Sequence, residues 1–243
     1  MKTHDAREFG KRIATLVQSG EIEQAEDILR PILAGPLAFR LLDQTGAPLG
    51  KLPFETTDPF FYWLGQLQAE GAWVVIASAL QRQIGEDLPG ALERTRNYII
   101  QADIWYATDI FGERVPGPAL VDTFQAALRE LEAWREDKNR WVRRSVGVAI
   151  HFWAKRTRSS AGSHTQAESL LEFLSPVFNE NDGDAAKGFG WGLKTLGRYH
   201  PDQVGNWLEK QMKMYGRPAR RLMMRKSLTY LPAETKLRFS KPV

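Results

Sequence analysis

The sequence predicts an all-α protein, a superhelical stack of antiparallel helix pairs of the HEAT or armadillo type of α-solenoid. Apolar residues recur at helical spacing through nearly the whole chain, as at Phe9, Ile13 and Leu16. No convincing stretch alternates polar and apolar residues as a half-buried strand does. Turn residues such as Gly35-Pro36 divide the pattern into roughly a dozen helices, in pairs of about 35 to 45 residues. An irregular helical bundle is the alternative, because the segments show no strict self-similarity.

Several predicted helices carry their own start signals. Asp58 and Asp182 precede helical segments and can accept hydrogen bonds from the unpaired amides of a first turn. Pro201 and Pro218 suit the first turn itself, where no amide hydrogen is needed. We therefore expect helices to begin at these four places.

The chain is expected to form a single helical-repeat domain over residues 1–243. Within it, residues 1–57 are diverged N-terminal helices and a loop, residues 58–232 are the repeats that carry the candidate site, and residues 233–243 are a basic tail. The loop is predicted over Leu42 to Thr57, where glycine and proline follow one another closely. No flexible Ser/Gly linker separates two halves.

The composition excludes several kinds of chemistry. A chain of 243 residues with 43% hydrophobic residues can bury a sizeable core without metals or disulfides. The absence of cysteine excludes disulfides, a thiolate nucleophile and cysteine-containing zinc sites. The four histidines are too scattered for a metal cluster, so we expect neither metal nor cofactor. No run of about 18 apolar residues and no apolar signal core occurs, which predicts a cytoplasmic protein without a membrane partner.

Positive charge is concentrated at the C-terminal end. The stretch from Lys187 to Val243 holds 13 Lys or Arg against 3 Asp or Glu, a net charge of +10, and the rest of the chain carries −6. Lysine and arginine that neutralise phosphates gain free energy by releasing counterions. The asymmetry suggests a polyanionic partner and a basic concave face of the stack; a solvated basic surface is the alternative.

The first of three local patterns pairs an indole with a carboxylate. Trp105 and Asp109 are four residues apart and share a face if the segment is helical. In the alternative reading, Trp105 belongs to the core and Asp109 caps a helix or pairs with an arginine.

The second pattern is a basic helix start at Asn139 to Arg144. Between Lys138 and Arg158 there are seven basic residues and no acid. Amide hydrogens and arginine side chains at such a start both suit a phosphate. The alternative is a solvated helix start with Trp141 in the core.

The third pattern is a glycine-rich helical segment from Asp184 to Lys194. Its three glycines each cost roughly 1 kcal/mol relative to alanine in a helix. They are explained either by close helix packing or by a surface that another backbone approaches. Trp191, within this segment, is by itself more typical of a core residue than of a ligand.

In this order and spacing, the three patterns resemble the HEAT-like-repeat DNA alkylation repair glycosylases of the AlkD type. That family shows a Trp-x-x-x-Asp helix, a Trp-x-x-Arg helix start and a later Lys-x-x-x-Trp helix. These motifs correspond here to Trp105 with Asp109, Trp141 with Arg144, and Lys187 with Trp191. The resemblance covers Arg94 to Leu231 well and the N-terminal 90 residues poorly.

The resemblance implies a DNA glycosylase that hydrolyses the N-glycosidic bond of cationic N3- or N7-alkylated purines in duplex DNA. It implies that Asp109 stabilises the developing positive charge of the sugar and orients water, and that Trp105 and Trp191 add cation–π attraction. Arg144 would hold a phosphate near the lesion. Further contacts with the DNA backbone are expected from Arg143, Lys187, Lys194, Arg198, Arg217, Arg220, Arg221 and Arg225.

Two other functions stay open at this point. The chain could be a non-catalytic relative of the same fold that binds damaged or branched duplexes. It could also be a helical scaffold that binds a protein in its groove, although the C-terminal charge argues against this. A monomer is expected for the glycosylase and for the non-catalytic DNA-binding relative, because a groove filled by DNA gives no reason for a dimer.

Overall fold

The computed structural model of the chain describes residues 2–36, 38–158, 160, 162–215 and 221–239. All regular secondary structure in these residues is helical, which confirms the predicted all-α class. The chain divides into two units, Met1–Val115 and Pro116–Val243, each of which has its own core. Whether the whole chain behaves as one domain stays a prediction.

The N-terminal unit contains seven α-helices among its described residues and one short 3-10 helix at Leu49–Lys51. The α-helices are α1 Thr3–Gln18, α2 Ile22–Leu33, α3 Phe39–Gly46, α4 Phe54–Gln66, α5 Glu70–Gln83, α6 Leu88–Ala102 and α7 Trp105–Arg114.

The described part of the C-terminal unit contains eight α-helices and a 3-10 helix at Ser175–Val177. The α-helices are α8 Pro116–Asp122, α9 Phe124–Arg135, α10 Arg140–Thr157, α11 Ser163–Leu174, α12 Gly183–Tyr199, α13 Pro201–Tyr215, α14 Arg221–Ser227 and α15 Ala233–Leu237. The short helix α15 lies in the stretch that the sequence predicts as a basic tail.

Helices of the N-terminal unit pack in two layers. The first layer contains α1, α3, α5 and α7, each in contact with the next, and α2, α4 and α6 pack beside it. The core between the layers includes the fully buried side chains of Trp73, Phe60, Phe61 and Phe111. Contacts between successive helix pairs are typical of helical repeats and confirm the predicted stacking within this unit.

The C-terminal unit repeats this arrangement. Its first layer contains α8, α10, α12 and α14, and its second layer contains α9, α11 and α13. The long helix α10 contacts helices of both layers and buries most of its residues, with Trp153 completely enclosed. Side chains of α10 and α12 that face away from the second layer are therefore held by a well-packed support.

The loop predicted over Leu42 to Thr57 is wrong. Helix α3 continues to Gly46, the 3-10 helix follows, and α4 begins at Phe54. The glycines that suggested a loop serve close packing instead, because a Cβ added at Gly46 or Gly50 would collide with the backbone of α5.

The helix start predicted at Asp58 is also wrong. Asp58 lies inside α4, one turn after its beginning. Its carboxylate oxygens accept hydrogen bonds from Arg94 Nε at 3.2 Å and from Arg94 Nη2 at 3.1 Å. An aspartate before an apolar stretch suits both a cap and a side-chain ion pair, and the sequence does not distinguish them.

Two other predicted helix starts are confirmed. Asp182 caps α12 by accepting hydrogen bonds from the backbone amides of Asp184 at 2.8 Å and Ala185 at 3.0 Å. Pro201 is the first residue of α13. Pro218 lies outside the described residues. No helix of the described chain is long and apolar enough to cross a membrane.

Candidate functional site

Helix α7 of the N-terminal unit carries the pairing of Trp105 with Asp109. It follows closely on α6, whose C-cap residue Asp103 adopts the left-handed conformation with φ 45°. Trp105 is the first helical residue, and its side chain is 55% exposed. Asp109 lies one turn later and is partly exposed. The alternative in which Trp105 belongs to the core is therefore wrong.

The opposite face of α7 is fixed by an ion-pair and aromatic cluster. Arg114 Nε donates to Asp43 Oδ1 at 2.7 Å, and the hydroxyl of Ser78 donates to the same oxygen at 2.6 Å. The ring of Phe111 lies 6.0 Å from that of Trp73. These contacts join α7 to α3 and α5, so the exposed indole and the partly exposed carboxylate lie on a well-packed helix.

Helix α10 of the C-terminal unit starts where the sequence predicts a helix start, and Asn139 caps it. The side-chain oxygen of Asn139 accepts hydrogen bonds from the backbone amides of Trp141 at 2.8 Å and Val142 at 3.3 Å. Trp141 is buried, as the alternative reading of this pattern proposes. Asn139 and Trp141 therefore have structural roles at this helix start, which leaves its arginines as the candidates for binding.

Arg143, predicted to contact DNA, is occupied within the unit. Its Nε donates to Glu180 Oε2 at 2.7 Å and its Nη2 to Glu180 Oε1 at 3.3 Å, while Nη1 donates to the carbonyl of Asp137 at 2.7 Å. The Glu180 side chain is only 9% exposed. A bidentate pair this well enclosed favours a structural role for Arg143.

Arg144 is buried, with 8% of its surface exposed. One of its guanidinium nitrogens, Nη1, donates to the backbone carbonyl of Asp184 at 3.3 Å, near the start of α12. The positive charge of Arg144 lies at a helix N-terminus, where backbone amides also favour an anion. Its role as a phosphate ligand stays a prediction.

The glycines of α12 serve close helix packing. A Cβ added at Gly188 would come within 2.8 Å of Arg144 Cα, and one at Gly192 within 2.8 Å of the Gly147 carbonyl. Gly147 in turn packs against the backbone of Gly188. Of the two explanations left open by the sequence, close packing of α10 against α12 is the correct one for Gly188 and Gly192.

Trp191 is partly exposed and stacks on a histidine that the sequence did not single out. The rings of Trp191 and His151 lie 4.0 Å apart with an interplanar angle of 25°. The Thr195 hydroxyl donates to the Trp191 carbonyl at 3.0 Å, so it accepts from His151 Nδ1 at 2.7 Å. In this arrangement Nδ1 carries the hydrogen and Nε2 does not.

Burial is the main reason that the pKa of His151 is lowered to about 4, and the nearby charges of Lys155 and Lys194 lower it further. The imidazole is therefore neutral near pH 7. The only sequence signal for this cluster is helical spacing: His151 and Lys155 are four residues apart, as are Trp191 and Thr195.

Cationic side chains from α12 and α14 form a patch, which we call the α12–α14 patch. It consists of Lys194, Arg198, Arg225 and Lys226, and none of these four makes an ion pair with a described residue. Burial, and then the positive charges of Lys194 and Arg225, lower the pKa of Lys226. Lys194 Nζ and the Arg198 guanidinium lie 5.0 and 5.3 Å from the ring centre of Tyr230.

The other predicted DNA contacts have different positions. Lys187 is exposed and its Nζ lies 3.0 Å from Asp184 Oδ1. Arg217 and Arg220 lie outside the described residues, as does the side chain of Arg221. The sequence missed Lys226 and Tyr230 as members of the patch, because only packing of α14 against α12 brings them together. The predicted basic concave face stays a prediction.

Together, the fold and these residues define an all-α helical-repeat protein that presents exposed aromatic and cationic side chains. The chain belongs to the DNA alkylation repair enzyme family, whose model matches residues 68–231. This match confirms the resemblance stated from the sequence and begins further toward the N-terminus. It indicates an enzyme of DNA alkylation repair with DNA as its partner. Comparison with curated proteins and with solved structures gives no match.

Proposed function

We propose that the protein is a DNA glycosylase that releases cationic N3- and N7-alkylated purines from duplex DNA. The single observation that carries the proposal is the exposed face of α7. An indole that is 55% exposed stands one helical turn from a partly exposed carboxylate. A carboxylate and an aromatic face both stabilise positive charge of the kind that develops on the sugar.

The reaction breaks the bond between C1′ and the purine nitrogen. The bonding electron pair leaves with the base, and because an alkylated purine is already cationic, the base departs neutral without a strong general acid. A water molecule then forms the new bond to C1′ and gives up a proton to the surrounding solvent. The carboxylate of Asp109 would offset the positive charge at C1′ and accept the water's hydrogen bond.

Two indoles would assist by cation–π attraction. Trp105 presents an exposed ring, and each such contact contributes about 0.5 to 2 kcal/mol to a cation. Trp191 is stacked on His151, which is neutral near pH 7 and so adds no competing positive charge at the indole. We propose both rings as contacts of the cationic lesion or sugar.

The duplex would be held through its phosphates. In the C-terminal unit, the α12–α14 patch supplies four cations without acidic partners among the described residues, and Tyr230 lies beside two of them. Contacts of this kind fix the backbone and carry no sequence information.

We propose a monomer acting in the cytoplasm, as expected from the sequence.

The test compares lesions of different charge. The protein is expected to release N3-methyladenine and N7-methylguanine from duplex DNA but not uracil, because a neutral uracil would have to leave as an anion. The W105A variant should release the methylated bases more slowly, by about twofold to thirtyfold, since one cation–π contact is lost.

The matched control is Y62A, which removes an aromatic side chain that is 66% exposed on α4. Y62A should keep the wild-type rate. Binding of the damaged duplex without release of any base would instead support the non-catalytic relative, since the α12–α14 patch contains neither Trp105 nor Asp109.

A further inference from the structure

The N-terminal unit contains a cleft of about 330 Å³ that none of the predicted site residues lines. Four cationic side chains line it: Arg7 and Lys11 from α1, Lys51 from the first 3-10 helix, and Arg82 from the last turn of α5. All four are exposed. We call this feature the N-terminal cleft.

Close backbone packing brings these cations together. Gly10 of α1 packs against the backbone of Thr45, and Gly50 packs against the backbone of Ala79. A Cβ added at Gly50 would lie 2.7 Å from the Cβ of Arg82. The helices α1, α3 and α5 therefore approach one another more closely than larger side chains would permit. The cationic side chains of three separate elements consequently project around one space.

The cleft has an excess of positive charge. Lys11 pairs with the exposed Glu8 at 2.7 Å, a contact of small energetic value in water. Arg7, Lys51 and Arg82 make no ion pair with any described residue. Like charges around one cleft repel each other, and a bound anion relieves that repulsion.

The lining indicates which anion fits. Its other members are Gln44, Ala47 and Pro48, so the cleft offers cations and an amide but no aromatic ring on which a base could stack. Recognition of a free nucleotide would require such a ring or buried hydrogen-bonding groups. Cations distributed over three elements suit successive phosphates of a nucleic-acid backbone.

We propose that the N-terminal cleft binds backbone phosphates of DNA. This assigns a role to α1 and the first 3-10 helix, which precede the family match at residue 68, together with Arg82 inside that match. This inference rests on the proposed function only in taking DNA as the partner. It adds Arg7, Lys51 and Arg82 to the residues that determine affinity, and it leaves the chemistry at the lesion unchanged.

The experiment measures binding of the full chain to an undamaged duplex at several salt concentrations between 50 and 200 mM. The variant R7Q/K51Q/R82Q is compared with R12Q/R40Q/R129Q, which removes the same charge from exposed positions outside the cleft. A plot of the logarithm of the association constant against the logarithm of the salt concentration has a negative slope. Each lost phosphate contact reduces the magnitude of this slope by about 0.9. We expect the cleft variant to lose about 2 to 3 units of slope and the control less than half a unit.

Equal slopes for the two variants would overturn the proposal. If the slopes are equal and inorganic phosphate raises the melting temperature of the wild type but not of the cleft variant, the cleft holds only a small anion. That result would also overturn the proposal. Base release from a methylated duplex, measured at saturating protein, is expected to match the wild type in the control variant R12Q/R40Q/R129Q. A wild type that releases no base, together with a reduced slope in the cleft variant, would contradict the glycosylase and leave the cleft intact.

Discussion

His151 shows how a buried titratable side chain supports an aromatic one. The imidazole is stacked on Trp191, hydrogen-bonded to Thr195 and kept neutral mainly by burial. Protonation would place a charge in a poorly hydrated position beside Lys155 and Lys194. The position of Trp191 should therefore depend on pH well below neutrality.

We expect acid to destabilise the fold through His151. Its pKa is about 4 in the folded protein, against an ordinary value of 6.5. Because the folded value is depressed, the stabilising effect of the neutral form is complete above pH 6.5 and declines as pH falls toward 4. The whole decline amounts to at most about 3 kcal/mol.

The measurement is urea unfolding at pH 7, 5 and 4 for the wild type and for H151F, which keeps an aromatic ring against Trp191. H151F should lose less stability between pH 7 and pH 4 than the wild type. The control H4Q, at a position where the side chain is 83% exposed, should follow the wild type. Identical pH dependence in the wild type and H151F would refute this account of His151.

At the scale of helices, glycine determines how closely α10 approaches α12. Gly147, Gly188 and Gly192 form the contact, and each lacks space for a Cβ because backbone or Ile150 atoms occupy it. The carbonyl of Arg144 lies directly against Gly188. The position of Arg144, and with it the start of α10, therefore depends on the absence of a side chain on α12.

We expect G188A to destabilise the protein by about 1 to 3 kcal/mol, because the helices must separate to admit a methyl group. The matched control is G183A at the first position of the same helix, where an added Cβ meets no atom within 4 Å. Alanine there should be neutral or stabilising by up to about 1 kcal/mol. Chemical denaturation of the two variants measures the difference, and equal stability would show that α10 and α12 can move apart freely.

Periodicity in the sequence predicts that these helices exist but not what their glycines and acids do. Gly46 and Gly50 suggest a loop, and only the position of α5 shows that they are packing residues. The sequence suggests that Asp58 is a helix cap, whereas the structure shows that it pairs with Arg94. Local signals are reliable when the partner is local, as for Asp182, and fail when the partner is supplied by another helix.

The same reasoning applies to the candidate site. Spacing places Trp105 and Asp109 on one face of α7, but whether that face is exposed depends on the packing of α3, α5 and α6 around it. Arg143 and Lys194 are indistinguishable as basic residues in the sequence. Their partners distinguish them, because Arg143 is enclosed by Glu180 and Lys194 has no acidic partner among the described residues.

For the whole molecule, the family match and the distribution of charge lead to one account. Membership of the DNA alkylation repair enzymes indicates DNA as the partner. Cations without acidic partners in the described chain occur in both units, in the N-terminal cleft and in the α12–α14 patch. We infer that DNA binding and base release depend on different residues, so that base release can be lost while DNA binding is kept.

Release of free base by an Asp109 variant tests the central claim most directly. Wild type, D109N and D122N are incubated with a duplex that contains N7-methylguanine, under conditions where each binds the DNA. D122N removes an exposed carboxylate at the end of α8 and serves as the control. The account predicts release by the wild type and D122N, and a rate about 100- to 1000-fold lower for D109N. Release by D109N at the wild-type rate would contradict it.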